Sequence, residues 1–266
     1  MSTLSYAVAD SVTMLRRDLK HKLRYVSMTV LLVGMPIVFL LLFVYVFGGA
    51  LGNGIGGQGA GRAEYVKYVT PGILLMAVAA AAQGTAISVA MDMTAGIVAR
   101  FRTMAISRAA VLTGHVLGNL VQTFVSLAMV LAVALAIGFR PNATPVEWLA
   151  AAGVLALITL AITWLTVALG LVSKTVEGAS NLPMPLTFLP FLGSGFVPTD
   201  SMPTGLRAFA EYQPFTPMIE TLRGLLLGTP IGDHAVIAVA WCAGITLASY
   251  LWARKLYNRD PAPAAR

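Results

Sequence analysis

The chain has 266 residues, of which 58% are hydrophobic and only 11% carry a charged side chain; its mean hydropathy is +0.80. Soluble domains carry about 25% charged residues, so this composition excludes a soluble globular protein. Apolar runs extend over nearly the whole chain and leave no polar block large enough to fold by itself. We therefore predict a single integral-membrane domain over residues 1–266.

The N-terminal segment, residues 1–25, predicts an amphipathic helix. Its apolar residues recur every three or four positions, on one face of a helix, and basic residues lie at the edge of that face or off it. The apolar positions are Leu4, Val8, Val12, Leu15, Leu19 and Leu23. Such a helix lies in the membrane interface, either as a generic anchor or as a lever that joins the membrane part to a cytoplasmic partner.

Six later stretches are long enough to cross a membrane, which takes about 20 helical residues. None of them contains Lys, Arg, Asp or Glu, and a cation at the centre of a membrane helix costs about 2.5 to 3.5 kcal/mol on insertion scales. We predict an all-α membrane protein with six transmembrane helices at 26–47, 71–91, 109–139, 148–172, 179–197 and 234–253.

The distribution of Lys and Arg predicts the orientation. Thirteen of the eighteen fall on the same side of the predicted membrane as the N-terminus, and five fall on the other side. Cytoplasmic loops carry such an excess, so both termini are predicted to be cytoplasmic. The net charge of +7 is then explained by attraction to anionic lipid, and we do not expect nucleic-acid binding.

The connector after the first span has eight glycines between Gly48 and Gly61, and we expect it to be flexible. A glycine-rich phosphate loop is disfavoured, because no Gly-Lys-Ser/Thr sequence follows it. The chain also lacks a His-Glu-x-x-His motif and a Gly-x-Ser-x-Gly elbow, and its three histidines are far apart in sequence. We therefore expect no catalytic residues, no metal and no cofactor bound by this chain.

Two spans carry residues that predict a substrate path. The second span has Gln83, Thr85 and Ser88, with Thr85 and Ser88 on one helical face. The fifth span has Pro183, Pro185 and Pro190, which break its hydrogen-bond ladder and kink it. Discontinuous spans line pathways in membrane transporters. The alternative is that these polar residues and prolines serve helix packing.

Between the fifth and sixth spans, residues 198–233, the sequence predicts two short helices. Pro203 follows Asp200 and Ser201 and begins the first helix, which Gln213-Pro214 ends. A second helix starts at Thr216-Pro217 and runs to Gly228.

Two stretches of the sequence resemble those of a known family. "GIVARFRTMAISR", residues 96–108, follows the second span, and "FVPTDSMPTGLRAFAEYQPFTPMIETLRGLL", residues 196–226, precedes the last one. With six spans and cytoplasmic termini, they make the chain similar to permease subunits of type-2 ABC exporters, closest to the daunorubicin-resistance class. The resemblance covers nearly the whole chain and implies location in the bacterial cytoplasmic membrane.

The resemblance implies that residues 96–108 form a cytoplasmic coupling helix that docks on a separate ATP-binding subunit. The implied contacts are Gly96, Ile97, Arg100, Phe101, Arg102 and Met104, with Lys174 and Glu177 as a secondary contact. The alternative is ordinary positive-inside topology, which explains the arginines but not the interleaved Phe and Met.

The resemblance also implies that residues 198–233 form a re-entrant outer hairpin, in which Glu211, Glu220 and Arg223 face a wet cavity or pair with one another. A plain external loop is the alternative.

The function implied is that of a membrane permease in an ATP-driven exporter of amphipathic drugs or lipids. Its expected partners are two ATP-binding subunits, which hold ATP and Mg, a second permease that is identical or paralogous, and membrane lipid. The chain itself would not be an enzyme. A membrane scaffold or channel without an ATPase partner is the alternative.

Overall fold

The computed structural model describes residues 26–56, 61–94 and 108–257, and every regular element in these ranges is helical. The prediction of an all-α protein is therefore confirmed for them. The predicted interface helix, 1–25, and residues 96–107 of the predicted coupling helix lie outside the described residues. The α-helices are α1 (Val26–Leu42), α2 (Gly48–Gly56), α3 (Gly61–Thr94), α4 (Arg108–Ala136), α5 (Pro145–Val172), α6 (Val176–Asn181), α7 (Met184–Phe188), α8 (Thr204–Tyr212), α9 (Phe215–Leu227) and α10 (His234–Tyr257).

Within the described ranges, five helical stretches are long and apolar enough to cross a membrane. They are Val33–Ile55, which joins α1 to α2 through a π-helical turn at Phe43–Phe47, then Gly61–Thr94, Leu112–Ala136, Pro145–Val172 and His234–Tyr257. The stretch predicted as the fifth of six spans, 179–197, is not a continuous helix. It consists of the end of α6, α7, a 3-10 turn at Leu189–Leu192 and irregular backbone.

Proline explains this interruption. Pro183, Pro185 and Pro190 lack an N–H donor and clash with a preceding carbonyl, so no regular ladder continues through them. The kink was predicted, but the break is more extensive than a kink, because non-helical backbone follows Leu192 up to the short turn Thr199–Ser201.

Helix α3 lies at the centre of the bundle. In its most apolar stretch 78% of the residues are buried, against 17% in α10. Small residues allow neighbouring backbones to approach it: a Cβ on Gly170 of α5 would stand 2.7 Å from the carbonyl oxygen of Ala86. The main apolar core surrounds the N-terminal half of α3, and a second cluster around Val89 packs at its other end.

The glycine-rich connector differs from its prediction. Residues 48–56 are helical rather than flexible, and they extend the first span. Helix α2 packs closely on the start of α3, because a Cβ on Gly52 would overlap the carbonyl of Gly61. The side chain of Asn53 also accepts a hydrogen bond from the Gly61 backbone N–H, at 3.2 Å. Composition predicted flexibility, whereas glycine at these positions permits a close helix–helix contact.

The two short helices before α10 lie where the sequence predicted them. Helix α8 starts directly after Pro203 and ends at Tyr212, directly before Gln213. Helix α9 ends at Leu227, directly before Gly228, whose φ of 73° is in the left-handed region that favours glycine. Ten of the thirteen residues of α9 are buried, so α9 belongs to the bundle, while most of α8 is exposed.

Candidate functional site

The non-helical backbone after α7 is hydrogen-bonded by side chains from other helices. We call residues 189–198 the irregular segment. The Gln213 side chain donates to the Leu189 carbonyl at 3.1 Å, and the Tyr65 hydroxyl donates to the Phe196 carbonyl at 3.3 Å. The Ser194 N–H donates to the Thr216 hydroxyl at 3.4 Å. These side chains therefore pair three backbone polar groups of the irregular segment that no helix ladder satisfies.

Arg223 of α9 completes this arrangement. Its guanidinium donates to the Ser194 carbonyl at 2.7 Å and to the Tyr68 carbonyl of α3 at 3.2 Å, and it lies 3.9 Å from the centre of the Tyr68 ring. Glu220, one turn earlier on α9, forms an ion pair with it. Arg223 is only 8% exposed, so its charge depends on these partners. We refer to Tyr65, Gln213, Thr216 and Arg223 together as the outer clamp.

The structure brings together only two of the three acidic and basic residues predicted for the outer hairpin. Glu220 and Arg223 pair with each other, whereas Glu211 pairs with Arg207 at 2.7 Å on the exposed face of α8. Arg207 also contacts Asp200 at 2.6 Å. The hydrogen bond that Arg207 donates to the Glu211 carboxylate raises the pKa of Arg207 above its usual range, so this group stays cationic.

Close contacts between backbones fix the irregular segment against α3. A Cβ on Gly72 would stand 2.6 Å from the Gly195 carbonyl oxygen, closer than real Cβ atoms come. Aromatic rings cover the segment on the side of the first span. The Phe191 and Phe196 rings are stacked at 4.2 Å, and Phe43 in the π-helical turn lies 4.6 Å from Phe196, measured between ring centres.

The predicted path residues make packing contacts in this conformation. The Gln83 amide donates to the Ser180 carbonyl at 2.7 Å and so ties α3 to α6. Ser88 donates to the Gly84 carbonyl of its own helix at 3.0 Å, and Thr85 is buried. Pro183 and Pro190 are buried, whereas Pro185 is exposed. The structure therefore places Gln83 beside the broken stretch of the chain that contains the prolines.

The two described residues of the predicted coupling contact lie close in sequence, Lys174 in the connector after α5 and Glu177 at the start of α6. Lys174 and Glu177 are both exposed. Glu177 lies in the first turn of α6, which is capped by the Thr175 hydroxyl, the acceptor of the Gly178 N–H at 3.0 Å. The other predicted coupling residues, Gly96, Ile97, Arg100, Phe101, Arg102 and Met104, lie outside the described residues.

Sequence reasoning missed several polar contacts inside the bundle. Asp92 near the end of α3 and His115 near the start of α4 are in contact, with 3.1 Å between the carboxylate oxygen and ring Nε2. Deeper in the bundle, Asn119 of α4 donates to Thr163 of α5 at 2.8 Å. Asn119, Thr123 and Ser126 are all buried, and their i, i+4, i+7 spacing was a signal for a polar helix face.

Within residues 26–56, 61–94 and 108–257, no three His, Cys, Asp or Glu side chains are grouped so that they could hold a metal ion. The buried polar side chains of these ranges make separate contacts between helices and do not converge on one point. What the fold and its polar contacts define is a multi-pass α-helical membrane protein with one interrupted segment.

Comparisons with known proteins identify the family. The sequence profile of the ABC-2 type transporter family matches residues 11–227. The chain is 30% identical over 224 residues to the "Daunorubicin resistance ABC transporter permease protein DrrB1" of Streptomyces coeruleorubidus. The aligned region covers 84% of this chain and 77% of the relative. It is 26% identical over 216 residues to the "Probable doxorubicin resistance ABC transporter permease protein DrrC" of Mycobacterium tuberculosis, covering 79% of this chain and 75% of that relative. The chain therefore belongs to the ABC-2 type transporter family, as a membrane permease subunit, and the resemblance seen in its motifs is confirmed.

Proposed function

We propose that this chain exports an amphipathic drug or lipid across a bacterial cytoplasmic membrane, with ATP hydrolysis on a separate subunit as the energy source. The family match over residues 11–227 carries the proposal. The relatives named for daunorubicin and doxorubicin resistance support a cargo with a planar apolar body and polar groups. The absence of a phosphate-binding Gly-Lys-Ser/Thr sequence from the chain supports an ATPase on a partner.

The irregular segment completes a sixth crossing of the membrane in this proposal. The outer clamp supports it, because it pairs four backbone polar groups of residues 189–198, and such pairing is what non-helical backbone needs at membrane depth. Helix α9 is the part of the hairpin that re-enters, since it is mostly buried. Helix α8 lies at the outer interface, where Asp200, Arg207 and Glu211 have access to water.

The cytoplasmic side of the permease is the side that carries both termini and residues 96–108. Two ATP-binding subunits hold ATP and Mg and dock on residues 96–108, with Lys174 and Glu177 as a further contact. Two permease chains, identical or paralogous, assemble in lipid and form the path between them. Gln83, Thr85 and Ser88 with the proline-interrupted stretch lie along that path, since Gln83 contacts the residues that precede the interruption.

The experiment that tests this function is co-purification of the tagged chain with an ABC ATP-binding subunit, followed by ATP hydrolysis and daunorubicin uptake in inside-out vesicles. The test variant is Phe101→Ala with Arg102→Glu. A matched control, Phe209→Ala with Arg207→Glu, changes the same residue types on the exposed face of α8. We expect the test variant to lose the ATPase and daunorubicin uptake, and the control to keep both.

Two outcomes count against the proposal. If the unaltered chain recovers no ATP-binding subunit and its vesicles accumulate no daunorubicin with ATP, the chain acts as a scaffold or channel instead. If the test variant recovers the ATPase as well as the unaltered chain does, residues 96–108 are an ordinary basic connector. A fluorescent phospholipid, used in the same vesicles, separates a drug cargo from a lipid cargo.

A further inference from the structure

The contact between Asp92 and His115 joins the two helix ends that flank residues 95–107. Asp92 lies in the last turn of α3, which ends at Thr94, and His115 lies in the second turn of α4, which begins at Arg108. The carboxylate oxygen and ring Nε2 are 3.1 Å apart. This pair therefore fixes the spacing between the helix that leads into that stretch and the helix that follows it.

An apolar cluster packs on the helix turns that carry the pair. The two side chains are 9% and 13% exposed, and the second apolar cluster, with Val89, Leu112 and Val116, packs on the same part of α3 and α4. Apolar contacts are non-directional, so they would allow the two helices to slide past each other. A hydrogen bond to a carboxylate is directional, so this contact favours one separation of the two helices.

Helix α3 connects this pair to the outer clamp. From Asp92 back to Tyr68 the helix covers 24 residue steps, which is about 36 Å at the usual rise per residue. Tyr68 accepts a hydrogen bond from Arg223, and Gly72 contacts Gly195. Pro71 lies inside α3 between Tyr68 and Asp92, and Gly72 lies on the same side of Pro71 as Asp92. A displacement at the Asp92 end of α3 therefore acts on the irregular segment through the contact of Gly72 with Gly195.

We propose that Asp92 and His115 form a positioning pair for energy coupling. The pair makes the ends of α3 and α4 move as one unit when an ATP-binding subunit pushes on the stretch between them. This inference rests on the proposed function, because it assigns the pair a role in transmitting the ATPase motion. The pair itself contacts neither ATP nor cargo.

The test measures cargo moved per ATP hydrolysed, in vesicles that contain the permease and its ATP-binding subunit. Asp92→Leu replaces the two carboxylate oxygens with methyl groups on the same branched skeleton, and Asp92→Asn keeps an acceptor for the His115 ring. The matched control is Thr163→Val, which removes another buried interhelical hydrogen bond of α4, the one donated by Asn119. Daunorubicin is the probe, and recovery of the complex is measured for each variant.

We expect Asp92→Leu to recover the ATPase and hydrolyse ATP at a rate within about threefold of the unaltered complex, but to move about tenfold less daunorubicin per ATP. Asp92→Asn restores at least half of the ratio, and Thr163→Val leaves it unchanged. If the pair is merely structural, Asp92→Leu lowers complex recovery, ATP hydrolysis and transport together, and Thr163→Val has the same effect. That result overturns the inference. An unchanged ratio in Asp92→Leu overturns it as well.

If Asp92→Leu misfolds, His115→Gln is used instead. This variant removes the imidazole ring of His115 and keeps a polar side chain. We expect the same fall in daunorubicin per ATP, and normal coupling in a well-folded His115→Gln complex overturns the inference. Failure of the proposed function is distinguishable, since it is seen in the unaltered chain as loss of ATPase recovery and daunorubicin uptake. Failure of the inference alone leaves both intact.

Discussion

Gly72 of α3 and Gly195 of the irregular segment lie backbone against backbone, with room for no side chain between them. A Cβ on Gly72 would stand 2.6 Å from the Gly195 carbonyl oxygen and 2.7 Å from its Cα. Two separate parts of the membrane domain thus depend on glycine at the same point. The contact brings the Ser194 carbonyl next to α3, where Arg223 donates to it and to the Tyr68 carbonyl.

Gly72→Ala is expected to destabilise the protein by about 1 to 3 kcal/mol, because the irregular segment must move away from α3 to accommodate the methyl group. The measurement is thermal unfolding of the purified permease in detergent. Gly153→Ala in α5 is the control, since a Cβ there would meet no atom within 4 Å and alanine favours the helix. Equal melting temperatures for the two variants would show that the segment yields without cost.

Arg223→Met is expected to be among the most destabilising single substitutions in the part of the bundle around the irregular segment. It leaves Glu220 without its cation and the Ser194 and Tyr68 carbonyls without their donor. Removing one partner of a buried ion pair costs about 3 to 5 kcal/mol. Arg223→Lys retains the charge but cannot reach several acceptors at once, so its loss should be intermediate.

The control for this prediction is Arg207→Met on α8. Arg207 is paired with Asp200 and Glu211, but these ion pairs are exposed and should contribute little. Thermal unfolding of Arg223→Met, Arg223→Lys and Arg207→Met is compared under one condition. A melting temperature for Arg223→Met as high as that of Arg207→Met would mean that the outer clamp does not depend on the guanidinium.

The local features of this fold could be predicted from sequence, and the long-range contacts could not. Pro203, Pro214 and Gly228 act on the backbone at their own positions, so the bounds of α8 and α9 followed from them. The contacts of Ser194 with Arg223 and of Leu189 with Gln213 join residues separated by other secondary structure, and no local rule indicates such partners.

The glycine-rich stretch shows the limit of reasoning from composition. Glycine between Gly48 and Gly56 is compatible with a flexible loop and also with a helix that packs closely on another. The close approach of Gly52 to Gly61 favours the helix, but that contact exists only once α2 and α3 are placed side by side. Conversely, the polar face of Asn119, Thr123 and Ser126 was visible in the spacing, while its partner on α5 was not.

Gln83→Leu is expected to lower daunorubicin transport by about fivefold to tenfold with normal ATPase recovery. The substitution removes the hydrogen bond to the Ser180 carbonyl and a polar group from the proposed path, and a lost hydrogen bond of about 1 to 1.5 kcal/mol corresponds to such a factor. Ser88→Leu tests the same path by adding bulk. Ser88→Ala is the control, because it removes only a hydroxyl that bonds to its own helix.

Unchanged transport in both Gln83→Leu and Ser88→Leu, with normal assembly of the complex, would argue against a path along this face of α3. A loss of assembly in Gln83→Leu that accounts for the whole loss of transport would indicate that Gln83 serves helix packing alone. Transport per assembled complex is therefore the quantity to compare.

Thiol labelling is expected to place Asp200 outside and Lys174 inside the cell. Both positions are exposed, and Cys242 is the only cysteine of the chain, so Cys242→Ala provides a background without native thiols. A membrane-impermeant maleimide, added to intact cells, should label Asp200→Cys and should label Lys174→Cys only after permeabilisation. The reason is the excess of Lys and Arg on the side of the N-terminus, which includes Lys174. The reverse pattern would invert the membrane orientation and would place residues 96–108 where no cytoplasmic ATPase could reach them.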